Sequence, residues 1–113
     1  MKKLLLIAAA IVLLACISPD DSGVKVIVGA KLVAAPGRAP IEYSVVVIDK
    51  GKFREVGPQS STPVPKGAEM LKGLGMTIEP LPGGPPIEPG KNADLLLKGP
   101  TDRVMRAGEW VTN

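Results

Sequence analysis

Cys16 is the only thiol in this chain, and there is no histidine to activate it or to share a metal with it. A cysteine becomes a strong nucleophile when a neighbouring cation, imidazole or helix N-terminus lowers its pKa. Nothing near Cys16 in the sequence supplies one. What precedes it is Lys2 and Lys3, then Leu4 to Ala15 with no charge and no polar side chain. Twelve helical residues rise about 18 Å, short of the roughly 30 Å hydrocarbon core, so the run is not a comfortable membrane span. A basic start followed by a short apolar stretch has the form of a secretory signal. The 11 carboxylates are dispersed. A catalytic zinc needs about three protein ligands, usually with imidazole among them. The sequence therefore assigns no catalytic residue, no metal ligand and no cofactor. Ser60, Ser61 and Thr62 could hold a nucleophile, but with no histidine as base they read as loop.

Leu13-Leu14-Ala15-Cys16 resembles the lipobox of bacterial lipoproteins, with a small residue before the cysteine. The resemblance implies acylation of the Cys16 thiol and cleavage before it. Residues 1–15 would then be a signal peptide, and 16–23 a lipidated cysteine with a polar tether. The alternative is a buried N-terminal helix that ends in cysteine. The implied partner is a membrane, reached through the lipid. The implied location is the bacterial cell envelope. Ile17 follows the cysteine in place of an aspartate, which points to the periplasmic face of an outer membrane where the source has two membranes. Asp20 and Asp21 read as solvated charges of the tether.

Removal of 15 of the 113 residues would leave 98, with 12 basic and 11 acidic side chains. The apparent net charge of +3 belongs partly to the signal. No basic cluster with interleaved aromatics survives, so nucleic-acid binding is unsupported. With Cys16 blocked, no disulfide is possible and the domain must rest on its core.

Residues 24–113 suit one small domain. Val24 to Val33 alternates β-branched residues, with a bend or bulge at Gly29. Tyr43 to Ile48 is a second strand. Asp49-Lys50-Gly51-Lys52 is a tight hairpin turn, and Phe53 to Val56 the returning strand. Ala68 to Leu71 and Met76 to Glu79 are shorter candidates. Residues 59–67 and Pro80 to Gly90 are too rich in proline and glycine for regular structure. Ala93 to Lys98, Arg103 to Arg106 and Glu109 to Thr112 complete the set. Seven to eight short strands at this spacing predict an all-β fold, a small sandwich, behind the N-terminal signal helix.

The order of these segments resembles the strands that flank the catalytic barrel in the amidohydrolase superfamily of metal-dependent hydrolases. Gly51, Phe53, Val56 and Gly57 stand at the family's hairpin positions. Gly75, Ile78 and Pro82-Gly83 approximate the approach to its barrel. Pro89, Gly90, Lys91, Ala93, Asp94 and Leu95 match the strand after it, and VMRAGEWV resembles the closing hairpin. The resemblance covers nearly all of 24–112. It implies a composite β-sandwich in which strands 24–57 pack with strands 93–112. The family's barrel of about 250 residues is reduced here to the segment around Gly84 to Glu88. The family's metal ligands lie in that barrel, so none is carried over.

The expected function is a lipid-anchored, non-catalytic β-sandwich domain, structural or partner-binding, in the envelope. The alternatives are an accessory part of an amidohydrolase whose barrel comes from another chain, and a remnant of barrel deletion. Asp94 is expected to fix the turn before it by bonding nearby backbone N–H groups. Trp110 is expected to fill core, and Lys91 and Asn92 to sit in a turn. Residues 80–90 read as a bridge in the barrel's place, with polyproline recognition as the competing role.

Overall fold

A computed structural model describes residues 23–111. The signal and the tether up to Ser22, with Cys16, lie outside them. The described residues form nine strands and no helix. They are β1 Lys25–Val28, β2 Lys31–Leu32, β3 Ser44–Asp49, β4 Lys52–Pro58, β5 Glu69–Lys72, β6 Thr77–Glu79, β7 Leu95–Lys98, β8 Arg103–Arg106 and β9 Glu109–Trp110. One sheet runs β4-β3-β1-β5 and the other β2-β6-β7-β8-β9.

The strand beyond the expected seven or eight arises at Gly29. The apolar alternation of 24–33 predicts one strand with a bend. Gly29 instead adopts φ 96°, which an L side chain rarely tolerates, and the chain leaves one sheet for the other there. β1 pairs antiparallel with β3 and parallel with β5, while β2 pairs parallel with β6. Ser44 secures the crossing. Its N–H and its Oγ–H both donate to the Ala30 carbonyl, at 2.9 and 2.8 Å. A fully buried hydroxyl is thereby satisfied, as a buried polar group must be.

The core lies between the sheets. Ile27, Val46, Ile48 and Phe53 from the first meet Leu32, Ile78, Leu95, Leu97 and Met105 from the second. Strands 24–57 thus pack with strands after residue 93, as the composite sandwich requires. The other face of the first sheet buries Val24, Val26, Val45 and Val47, with Val64 and Ala68 packed against them. The connection from β4 to β5 carries Val64 and Ala68 across that face. Alternation along β3 therefore serves two cores, which is why Val45 to Ile48 are all buried.

Two hairpin turns, one from each half of the chain, lock together. In the first, Lys50 and Gly51 have φ 55° and 80°; in the second, Ala107 and Gly108 have 48° and 82°. Both have the left-handed pair that matches strand twist in two-residue hairpins. Ala93, fully buried, sits between them: its N–H donates to Gly51 C=O at 2.8 Å and its C=O accepts from Gly108 N–H at 3.0 Å.

Candidate functional site at the proline bridge

The residues weighed for chemistry are dispersed over the surface. Asp94 does fix a turn, but not the one before it. Its Oδ1 accepts the Ala107 N–H at 2.7 Å, so it holds the second hairpin across thirteen residues of sequence. The sequence hid this because the partner is a backbone group brought close only by pairing of β7 with β8. Asp94→Ala should cost about 1 kcal/mol in urea denaturation, and Asp94→Asn, which keeps an acceptor, distinctly less. Trp110 is half-buried against the main core. The Arg103 guanidinium lies 4.2 Å from its ring centroid, a cation–π contact. Asn92 takes an N–H from the Lys52 ammonium at 3.1 Å. Ser60 and Ser61 are exposed. No group of three or more histidine, cysteine, aspartate or glutamate side chains able to hold a metal occurs among the described residues.

The most built surface feature is the bridge from β6 to β7. Proline denies it ladder bonds, yet it is pinned at several points. Gly84 N–H closes a turn onto Leu81 C=O at 2.8 Å, and Ile87 N–H donates to Ala34 C=O at 2.9 Å. Ile87 is a full core member, 1% exposed. Glu88 pairs with Arg38 at 3.1 Å, and Gly90 N–H reaches Phe53 C=O at 2.8 Å. The segment that looks least structured in sequence is therefore tied to both sheets.

A cleft flanks each side of the ridge Leu81–Gly84. One, about 440 Å³, is lined by Val33, Pro36, Glu79, Pro80 and the ridge. The other, about 380 Å³, adds Pro85, Asp94 and Arg106. Such walls can receive an apolar or proline-rich segment, with a carboxylate and a guanidinium for orientation. They offer no nucleophile paired with a base. A third cleft of about 350 Å³ lies at the sheet crossing, beside Gly29, Lys31, Tyr43 and Leu74. Tyr43 there has φ 51°.

No protein-family model matches this sequence. No curated protein matches it either. Three solved structures are similar to part of this chain. A candidate prolidase from Bifidobacterium longum is 20% identical, with 52% of this chain and 15% of its own covered and a TM-score of 0.47. Molinate hydrolase is 25% identical over 53% of this chain and 13% of its own, also at 0.47. Phenylurea hydrolase B is 32% identical over 50% of this chain and 12% of its own, again at 0.47. The chain thus corresponds to a small fraction of each of these longer proteins, two of which are hydrolases by name.

Proposed function

We propose that this chain is a lipid-anchored, non-catalytic β-sandwich of the amidohydrolase type, which serves the envelope as a structural or partner-binding lipoprotein. The observation that carries the reading is the bridge. β6 and β7 pair directly, Glu79 opposite Leu96, and the segment between them is a short tie into the host core. The catalytic barrel of the family belongs at that point. The absence of histidine from the whole sequence agrees with a domain that has kept its frame and shed its chemistry. Membrane attachment rests on the Leu13-Leu14-Ala15-Cys16 motif. One acyl chain gives marginal binding, while two or three give stable anchoring.

The second reading, an accessory sandwich for a barrel supplied by another chain, is favoured by one feature. The clefts beside Leu81–Gly84, one of them walled by Val33, Pro36 and Pro80, lie where such a barrel would join.

One preparation tests the first reading. Protein isolated from membranes of an expressing bacterium should show, by intact mass, loss of residues 1–15 and added acyl mass at Cys16. Cys16→Ser should shift the protein to an unprocessed or soluble form. The membrane-derived protein should retain no stoichiometric zinc and should not hydrolyse cyclic amides when zinc is added. An unmodified Cys16, or chelator-sensitive turnover, would overturn it.

A further inference from the structure

Strand pairing gathers lysines that the sequence scatters. The start of β1 marks the end of the domain that the tether joins. Lys25 lies opposite Ile48, which puts the turn Lys50-Gly51-Lys52 at that end. Glu69 N–H donates to Val24 C=O at 2.8 Å, so Lys66, three residues earlier, is there as well. Phe53 N–H donates to Lys91 C=O at 2.9 Å, and Lys52 bridges Asn92, which adds Lys91. Neighbouring strands are about 4.8 Å apart, so the row from β4 to β5 spans about 14 Å.

Lys50, Lys52, Lys66 and Lys91 are all exposed. None of them pairs with a carboxylate among the described residues, and Lys52 bonds the neutral Asn92 side chain. Most acidic groups at this end are already engaged. Asp49 pairs with Arg54 and Glu109 with Lys25, both at 3.6 Å, and Glu88 pairs with Arg38 at 3.1 Å. Asp94 holds the Ala107 N–H and shares its cleft with Arg106. Glu69 is the exposed carboxylate left there without a cationic partner among the described residues. The opposite end differs. Lys31 and Lys72 are matched there by Glu42 and Asp102, Lys98 pairs with Glu79, and Arg103 lies on the Trp110 ring.

We propose that the tether end of the domain docks on an anionic phospholipid bilayer, with Lys50, Lys52, Lys66 and Lys91 against the lipid phosphates. The proposal rests on the lipid anchor argued above, which holds this end nearest the bilayer. The anchor alone does not fix the contact. Residues 17–23 reach at most about 25 Å, about three times the Debye length of about 8 Å at physiological ionic strength. Within that reach, charge decides which face is turned to the lipid. Each lysine brought against an anionic surface favours the docked arrangement about fivefold. Four such lysines outweigh the repulsion of Glu69. Asp20 and Asp21 lie in the tether, so the attraction comes from the folded end and not from the linker.

The test uses the full-length protein, expressed in a bacterium, extracted from its membranes and reconstituted on two kinds of vesicle. One kind is phosphatidylcholine alone; the other is phosphatidylcholine with a third of phosphatidylglycerol. Brief acetylation with a water-soluble reagent, mapped by mass spectrometry, reads each lysine separately. Lys50, Lys52, Lys66 and Lys91 should react about fivefold more slowly, or slower still, on the phosphatidylglycerol vesicles. Lys31 and Lys72, at the opposite end, should react alike on both. The difference should vanish at about 1 M salt, where the Debye length is about 3 Å. In the double variant Lys50→Glu with Lys91→Glu, Lys52 and Lys66 should lose their protection. Parental rates at Lys31 and Lys72 would show that the variant keeps its fold. Equal rates at the four lysines on both vesicles, or equal slowing at Lys31 and Lys72, would overturn the proposal. So would protection that inorganic phosphate abolishes at matched ionic strength, which marks a site for the free anion. Intact mass of the same sample reports acylation of Cys16 independently, so failure of the anchor and failure of the docking are told apart.

Discussion

A chain ended after Gly83 should fail to fold. The loss removes β7, β8 and β9, and with them Ile87, Ala93, Leu95, Leu97 and Met105. Those are five of the thirteen buried members of the main core. Full burial of a large aliphatic side chain contributes about 1.5–3 kcal/mol, so the four large ones represent roughly 6–12 kcal/mol. The whole stability of a small domain is about 5–15 kcal/mol. The remaining strands would also expose Ile27, Val46, Ile48 and Phe53 on one face, and β6 would lose its only antiparallel neighbour. Expression should give an insoluble product, or one with collapsed amide dispersion by NMR. A soluble fragment with dispersed amides would show that the first sheet stands alone.

The second large effect is expected at Gly108. A Cβ placed there would lie 2.8 Å from the Gly51 Cα, on backbone that cannot swing aside, and the residue has φ 82°. Left-handed backbone costs an L residue about 1–2 kcal/mol. Forced overlap in packed surroundings adds about 1–3 kcal/mol. Gly108→Ala should therefore destabilise by about 2–5 kcal/mol, with a large fall in the urea midpoint. Gly37→Ala is the control. Its φ is also 82° but nothing lies within 4 Å of the new methyl group, so only the backbone cost of about 1–2 kcal/mol applies. Equal effects at the two positions would mean that contact between the hairpins contributes nothing.

Much of this architecture was legible because apolar alternation and turn chemistry agree. The run Ser44–Asp49, the turn at Lys50-Gly51 and the return through Phe53 are a hairpin by composition alone. Arg103–Arg106 is a strand with the bounds its residues suggest. Pairing across long separations was not legible. Nothing in the residues 69–72 announces a parallel partner in β1. Gly29 signals a bend without telling that the chain changes sheets there. Ile87 was hidden by its neighbours: a lone isoleucine among prolines carries no periodicity, yet it fills the core. Asp94 is structural, as its place before an apolar strand suggests, but the turn it holds depends on where β8 returns. Of the surfaces, the bridge was expected and its tight anchoring was not.

The bridge has one more consequence, for how this fold can change in length. β6 and β7 hold their register at Glu79 and Leu96, and the tip Pro82–Pro85 is exposed. Chain length at that tip is therefore uncoupled from the strands below it. For a flexible insert, closing a loop of about 250 residues in place of the fifteen between β6 and β7 costs only about 2.5 kcal/mol of extra entropy, and a folded guest with adjacent ends costs less. The sandwich is therefore expected to accept a longer segment at that tip for a few kcal/mol, with the register of its strands unchanged. Its evolution through gain or loss of a guest at Gly83-Gly84 would require no refolding of the host.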